Sequence, residues 1–115
     1  MAGLPSDCFR GRRVFVFTGQ LRQGIQELIA ERFRRLGCDE VQVRLIHRDH
    51  GPDRFRQTDC IVMDLTFASH CDTAKVRVKA LAAGAWIHQA KRGLSTLAVV
   101  CGRAWLDSQA QQTAP

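Results

Sequence analysis

The chain has 115 residues, 45% of them hydrophobic and 24% charged, and its 17 Lys and Arg outnumber its 11 Asp and Glu. This length accommodates one domain and excludes a two-domain enzyme with a separate substrate lid. No apolar run approaches the roughly 18 residues of a membrane span. Residues 1–6 lack the basic end and long apolar stretch of a secretory signal. We therefore expect a cytoplasmic protein with no membrane association.

The formal net charge of +6 favours a polyanionic partner, and most of the basic residues are Arg, which binds phosphate in bidentate fashion. A well-solvated basic surface explains the same balance. Cysteine usage agrees with a reducing compartment, because the number is odd and no C-x-x-C pair is present. The five cysteines are Cys8, Cys38, Cys60, Cys71 and Cys101.

Residues 1–11 are predicted to form an irregular lead-in, followed by an α/β domain over residues 12–106. The continuous apolar run Val14–Phe17 is typical of a strand buried on both faces. Apolar residues at helical spacing predict a helix over Gly24–Leu36. A second strand follows at Val41–Ile46, and the polar segment His47–Thr58 is predicted to be a loop or a short broken helix.

Cys60–Met63 predicts a third buried strand, which runs on to Leu65. A second helix is predicted from Ser69 to Gly84, with Asp72, Lys75 and Lys79 facing solvent. Its predicted buried face comprises Cys71, Ala74, Val78, Leu81 and Ala82. Ala85–His88 predicts a fourth strand, Lys91–Gly93 a turn and Leu94–Leu106 an apolar last helix, before a flexible tail over residues 107–115.

The alternation of strands and helices predicts a three-layer, Rossmann-like or flavodoxin-like fold with helices on both faces of a parallel sheet. Right-handed crossovers favour four strands in the order 2-1-3-4. Sheets of this kind bind ligands beyond the carboxyl ends of their strands. Four polar segments would meet at that edge, and their candidate ligand-binding residues are Thr18, Gly19, Gln20, His47, Asp49, Gly51, Ser69, His70, Lys91, Arg92, Gly93 and Ser95.

The chemistry of this edge favours an anionic ligand. A turn at Gly19 lets backbone N–H groups approach an anion near a helix start. Lys91 and Arg92 precede the last helix, where positive side chains oppose the helix dipole unless an anion is present or they point away. Ser69 and Asp72 fit a capping box, although a helix start at this edge is also an anion site.

The cluster His47, Asp49 and His50 is also compatible with metal binding or proton transfer. Together with Ser69 and His70 it leaves a small enzyme as an alternative, although spacing identifies no nucleophile–base pair. A solvated polar loop explains the same residues. No cofactor is specified by the sequence.

The order and spacing of these blocks resemble a family of small bacterial Rossmann-like domains of unknown function. The matching positions are Val14–Gly19, then His47, Asp49 and Gly51, then Ser69, His70, Lys75 and Lys79, and finally Arg92, Gly93 and Ser95. The resemblance spans residues 12–97, and it departs from the family at His50 and beside Gly19, where further glycines are usual. It implies the fold and a shared polar edge, but no reaction.

A second resemblance is to BRCT domains, which share the predicted strand order. It rests on the opening Gly11–Gly19 and on Thr58–Val62, with a looser match over Lys75–Ala80. In that family a hydroxyl and a Gly after the first strand hold phosphopeptides together with a Lys of the second helix. The resemblance implies Thr18, Gly19 and Lys75 or Lys79 for that role, while the usual Trp soon after the fourth strand is missing.

The leading functional hypothesis is a non-enzymatic module that binds a nucleotide, a phosphorylated metabolite or a nucleic-acid backbone. The alternative is an interaction module, either BRCT-like or a homodimer built on the last helix. That helix is apolar on too wide a front for a surface helix. The residues concerned are Leu94, Leu97, Ala98, Val99, Val100, Trp105 and Leu106.

Overall fold

The computed structural model describes residues 7–20, 24–66, 68–91 and 97–113. Within these ranges the elements are β1 (Arg13–Thr18), α1 (Ile25–Arg34), β2 (Glu40–Leu45), β3 (Cys60–Asp64), α2 (His70–Ala83), β4 (Trp86–Ala90) and α3 (Leu97–Thr113). The four strands are parallel and lie in the order β2-β1-β3-β4. The predicted α/β class and strand order are therefore confirmed. No helix in the described ranges is long and apolar enough to cross a membrane.

The two faces of the sheet carry separate hydrophobic cores, because successive residues of a strand point to opposite sides. On one face, Val14 and Val16 of β1 pack with side chains of α1 and α3. On the other face, Phe15 and Phe17 pack with α2 and with Phe55 of the segment between β2 and β3. The arrangement is the predicted three-layer one, with α1 and α3 on one side and α2 on the other.

Helix α3 buries most of its apolar front within its own domain. Leu97, Cys101 and Trp105 belong to the same core as α1, and the Trp105 ring lies 5.9 Å from Phe9 between ring centroids. Part of this apolar front is thus explained without a partner. Val99 remains 62% exposed and Leu94 lies outside the described residues, so the homodimer stays a prediction. The helix also continues to Thr113, into the segment that was predicted to be a tail. The residues there are mostly polar, and Gln and Ala among them are compatible with a helix.

The predicted buried face of α2 is wrong. Val76 and Ala80 are fully buried and Thr73 is nearly so, whereas Val78 is 67% and Leu81 64% exposed. The helix carries apolar side chains on two opposite sides, and the wider apolar side is exposed to solvent. The narrower side fits the sheet because aromatic rings of Phe15, Phe17 and Phe55 already fill that layer, leaving room for small helix side chains.

An ion pair ties β1 to the lead-in of β3 at the amino end of the sheet. Arg13 donates from Nε to Asp59 Oδ1 at 2.9 Å and from Nη2 to Oδ2 at 2.7 Å. Asp59 is fully buried, and its Oδ2 also accepts the backbone N–H of Arg56 at 2.8 Å. The carboxylate therefore depends on Arg13 for its only charged partner among the described residues.

Three cysteines behave as apolar core groups. Burial raises the pKa of Cys38, Cys60 and Cys101 to about 12, so these side chains remain thiols at neutral pH. Cys60 and Cys101 have no exposed surface. The prediction of a buried thiol at Cys60 is confirmed, and Cys71 on α2 is exposed.

Candidate functional site at the carboxyl ends of the strands

The strand ends form a row at one edge of the sheet. Thr18 is paired with Leu45 of β2 on one side and with Asp64 of β3 on the other, and Asp64 is paired with Ala90 of β4. With neighbouring strands about 4.8 Å apart, the row is about 14 Å long. The chain leaves β1 toward β2 and leaves β3 toward β4, so the strand order reverses between β1 and β3. In open parallel sheets ligands bind at such a reversal, which is called the switch point.

Asp64 organises the two turns beside the switch point. Its Oδ2 accepts the Thr18 hydroxyl at 3.1 Å, and its Oδ1 accepts the backbone N–H of Thr66 at 3.1 Å. The Thr18 oxygen in turn accepts the backbone N–H of Gln20 at 3.3 Å. Sequence reasoning missed this role, although an acid that closes a run of buried strand residues was the available signal. Thr18 is fully buried, so it shapes the site rather than lining it.

The turn after β2 is held by its own side chains. Asp49 Oδ1 accepts the backbone N–H of Gly51 at 2.8 Å, and its Oδ2 lies 3.2 Å from Arg44 Nε. Gly51 has a φ of +87°, a left-handed conformation that Gly adopts without strain. Asp49 and Gly51 therefore build the turn, which leaves His47 and Arg48 exposed.

The start of α2 is fastened to the β2 turn. The Ser69 hydroxyl accepts the backbone N–H of Asp72 at 3.1 Å and donates to Asp72 Oδ2 at 2.8 Å, which confirms the predicted cap. His50 Nε2 lies 2.9 Å from the other carboxylate oxygen of Asp72. The hydrogen bond from His50, followed by that from Ser69, holds the pKa of Asp72 below its ordinary value of 3.8.

This lowered pKa of Asp72 predicts a pH-dependent contribution to stability. The ionised carboxylate stabilises the folded state above its ordinary pKa, and the contribution is lost as the pH falls through the lowered folded-state value. Urea unfolding at a series of pH values between about 5 and 2 should show a steeper loss of stability in the wild type than in Asp72→Asn. Asp53→Asn, at an exposed carboxylate, is the control and should keep the wild-type slope. Equal slopes for wild type and Asp72→Asn would contradict the coupling.

The geometry supplies neither a metal cluster nor a nucleophile–base pair in the described residues. No three side chains of His, Cys, Asp or Glu gather there in a way that would hold an ion. His50 and Ser69 bind different oxygens of Asp72, so the hydroxyl donates to a carboxylate instead of an imidazole. The constellation fits a helix cap with an attached loop, and the enzyme alternative gains no support from it.

The acids and the cations at this edge differ in their internal partners. Asp49, Asp64 and Asp72 each accept hydrogen bonds from the protein. In contrast, four side chains with basic groups are exposed and form no hydrogen bond or ion pair with the described part of the chain: His47, Arg48, His70 and Lys91. The edge therefore exposes the cations Arg48 and Lys91 and two imidazoles to solvent, while its carboxylates already accept hydrogen bonds from the protein.

The remaining predicted residues fall into two groups. Gly19 is half-buried and Gln20 exposed on the turn after β1, beside the switch point. Arg92, Gly93 and Ser95 lie outside the described residues. Of the two lysines named by the family resemblances, Lys75 is exposed, whereas Lys79 donates to the backbone carbonyls of Gly51 and Pro52 at 3.4 and 3.0 Å.

Comparison with known proteins assigns no family to this chain, so the fold and the site are described from the structure alone. No protein-family model matches the chain, and neither a curated protein nor a solved structure matches it significantly.

Proposed function

We propose that this protein is a binding module that takes an anionic, phosphate-bearing ligand of nucleotide size at the carboxyl-end edge of its sheet. The observation that carries the proposal is the imbalance of partners at this edge. Its acids accept hydrogen bonds from internal donors, while the Arg48 and Lys91 side chains donate to no acceptor in the described chain. A phosphate group would satisfy such cations through charge-assisted hydrogen bonds.

The spacing of the cations supports a ligand longer than a single phosphate. Arg48 follows β2 and Lys91 follows β4, which are the two outer strands of the sheet. The row of strand ends between them is about 14 Å long. A nucleoside with a chain of phosphates would span this row across the switch point, over the ends of β1 and β3. Inorganic phosphate would reach only one side.

A phosphopeptide is the second candidate, because the strand order agrees with that of BRCT domains. The contacts favour it less. The Thr18 hydroxyl that would hold the phosphate is buried and donates to Asp64. Lys79 is directed toward the carbonyls of the Gly51 turn, which leaves Lys75 as the exposed candidate.

The experiment is an NMR titration of the ¹⁵N-labelled protein with ATP, and separately with inorganic triphosphate. Shifts are expected in the backbone amides of Gly19, Gln20, His70 and Lys91 and in the turn 47–51. Arg48→Ala and Lys91→Ala should each weaken ATP binding roughly tenfold, because each removes a charge-assisted contact. Arg103→Ala, at an exposed cation on α3, is the matched control and should bind as the wild type does.

The same titration distinguishes the other occupants. Shifts confined to the amino end of the sheet, or equal losses in the Arg48 and Arg103 variants, would overturn the proposal. Preferential binding of a short DNA or RNA duplex, falling steeply with salt through counterion release, would identify a nucleic-acid backbone as the phosphate source. Tighter binding of a phosphothreonine peptide than of ATP would favour the interaction module.

A further inference from the structure

We infer that the solvent face of α2 is a docking surface for an acidic amphipathic helix of a partner protein. This surface, the α2 outer stripe, consists of Cys71, Ala74, Val78, Leu81 and Ala82. At about 100° per residue these positions fall on one side of the helix, opposite the buried Val76 and Ala80. The stripe is about three turns long, or about 16 Å.

The outer stripe is apolar where a surface helix is normally polar. Val78 and Leu81 are the two most exposed large hydrophobic side chains of the described chain, at 67% and 64%. They lie three residues apart, so their side chains are neighbours on the helix surface. Since α2 already buries its other side against the sheet, the stripe lies outside both hydrophobic cores. Contiguous exposed apolar surface of this kind marks an interaction site.

Positive charge borders the stripe on both sides. The helical positions place Lys75 and Lys79 along one border and Arg77, beside the imidazole of His70, along the other. Within the described residues, none of Lys75, Lys79 and Arg77 forms an ion pair with a carboxylate. Arg77 donates to the Gln89 amide oxygen at 2.7 Å, and Lys79 to the Pro52 carbonyl at 3.0 Å. Lys75 is exposed and has no hydrogen bond with the described part of the chain, so it is the main cation offered to a partner. The complementary surface is therefore an apolar ridge with carboxylates on both sides.

These charges select the occupant. A second copy of this chain docked through the same stripe would bring its cations against cations at either border, which costs binding energy. A membrane surface would also accept basic borders, but interfacial helices insert bulky Trp, Phe or Leu side chains. Here the stripe is mostly Ala, Cys and Val. Small residues instead permit the close approach of another helix.

The stripe continues into a cleft that would receive the end of the docked helix. Leu81 belongs to the stripe and also lines a cleft of about 530 Å³ at the amino end of the sheet, together with Trp86, Trp105 and Arg12. The Arg12 guanidinium lies over the Trp105 ring, 4.8 Å from its centroid. A large apolar side chain next to a carboxylate on the partner would match the indole wall and the guanidinium.

The test uses the full chain and a synthetic, fluorescein-labelled amphipathic peptide of about four helical turns. The peptide carries Leu at i, i+3, i+4 and i+7 positions and Glu on both borders, and a matched peptide carries Lys in place of Glu. Fluorescence anisotropy should show saturable binding of the acidic peptide alone. Val78→Glu should weaken it roughly tenfold or more, as expected for a central contact. Val99→Glu, at a similarly exposed valine of α3, should leave it unchanged.

Two further measurements keep the inference falsifiable if binding is weak. Lys75→Glu combined with Arg77→Glu should transfer the preference from the acidic peptide to the basic one. Bound acidic peptide should slow the modification of Cys71 by a thiol reagent, because Cys71 lies on the stripe. No saturable binding of the acidic peptide, or no change on Val78→Glu, would overturn the inference. Binding of phosphatidylserine vesicles lost in Val78→Glu would overturn it in favour of a membrane surface. ATP binding should be unchanged in Val78→Glu, which separates this surface from the strand-end site.

Discussion

Arg13→Met is expected to destabilise the domain by about 3–5 kcal/mol, because it leaves the buried carboxylate of Asp59 without its countercharge. The two groups form a bidentate pair in which Asp59 is fully buried and the Arg13 side chain is 19% exposed. Removing one partner of such a pair costs more than the pair itself contributes, since an uncompensated charge then remains in the interior. Urea unfolding followed by circular dichroism measures the loss.

Two variants separate charge burial from general damage. Arg35→Met removes an exposed partner of Glu31 at i,i+4 and should cost about 0.5 kcal/mol or less. Arg13→Met combined with Asp59→Asn removes both charges and keeps an oxygen for the backbone N–H of Arg56, so it should recover part of the stability lost in Arg13→Met. A double variant no more stable than Arg13→Met would contradict the explanation by unpaired charge.

Gly51→Ala is expected to cost about 2–4 kcal/mol, from two separate sources. The φ of +87° is strained for any residue that has a side chain. In addition, a Cβ atom at this position would lie 2.8 Å from Cζ of Phe55 and 3.0 Å from Cζ of Phe17, both buried core rings. The change therefore disturbs the turn that carries His47 and Arg48 as well as the core beneath it.

Gly11→Ala isolates the strain from the steric overlap. Gly11 also has a left-handed φ, +76°, but an added Cβ would meet nothing within 4 Å. It should therefore cost only about 1–2 kcal/mol in chemical denaturation. If Gly51→Ala costs no more than Gly11→Ala, the contact between the turn and the aromatic core is not limiting. Heteronuclear NMR spectra of the Gly51 variant should show shifts at Phe17 and Phe55 that the Gly11 variant lacks.

The strands and their order were predictable because the information is local. Val14–Phe17 and Cys60–Met63 are continuous apolar runs, and only strands buried on both faces need such runs. The alternation with helices then restricts the topology. The orientation of α2 was not predictable in this way. Its apolar residues lie on two sides, and the choice between them depends on the Phe55 ring, which comes from a distant segment.

At the candidate site, too, the contacts between residues close in sequence were predictable and the long-range contacts were not. The cap at Ser69 was predictable because its partner, Asp72, is three residues away. The pair His50–Asp72 spans 22 residues and the pair Thr18–Asp64 spans 46, so both depend on the register and packing of separate elements. Spacing in the sequence suggested a His/Asp cluster around positions 47–50. In the fold Asp49 closes its own turn, His50 binds Asp72 and His47 is exposed.

The strands β1 and β3 are fastened at both ends. Arg13 and Asp59 join them at the amino end, Thr18 and Asp64 at the carboxyl end, and each contact connects residues 46 positions apart. The central pair should consequently open only on global unfolding, as the slowest-exchanging cooperative unit, while β2 and β4 exchange their amide hydrogens earlier. A ligand seated across the strand ends would then act mainly on the outer strands. By bridging the turns after β2 and β4, it would link the two outer strands directly, without any change in the middle of the sheet.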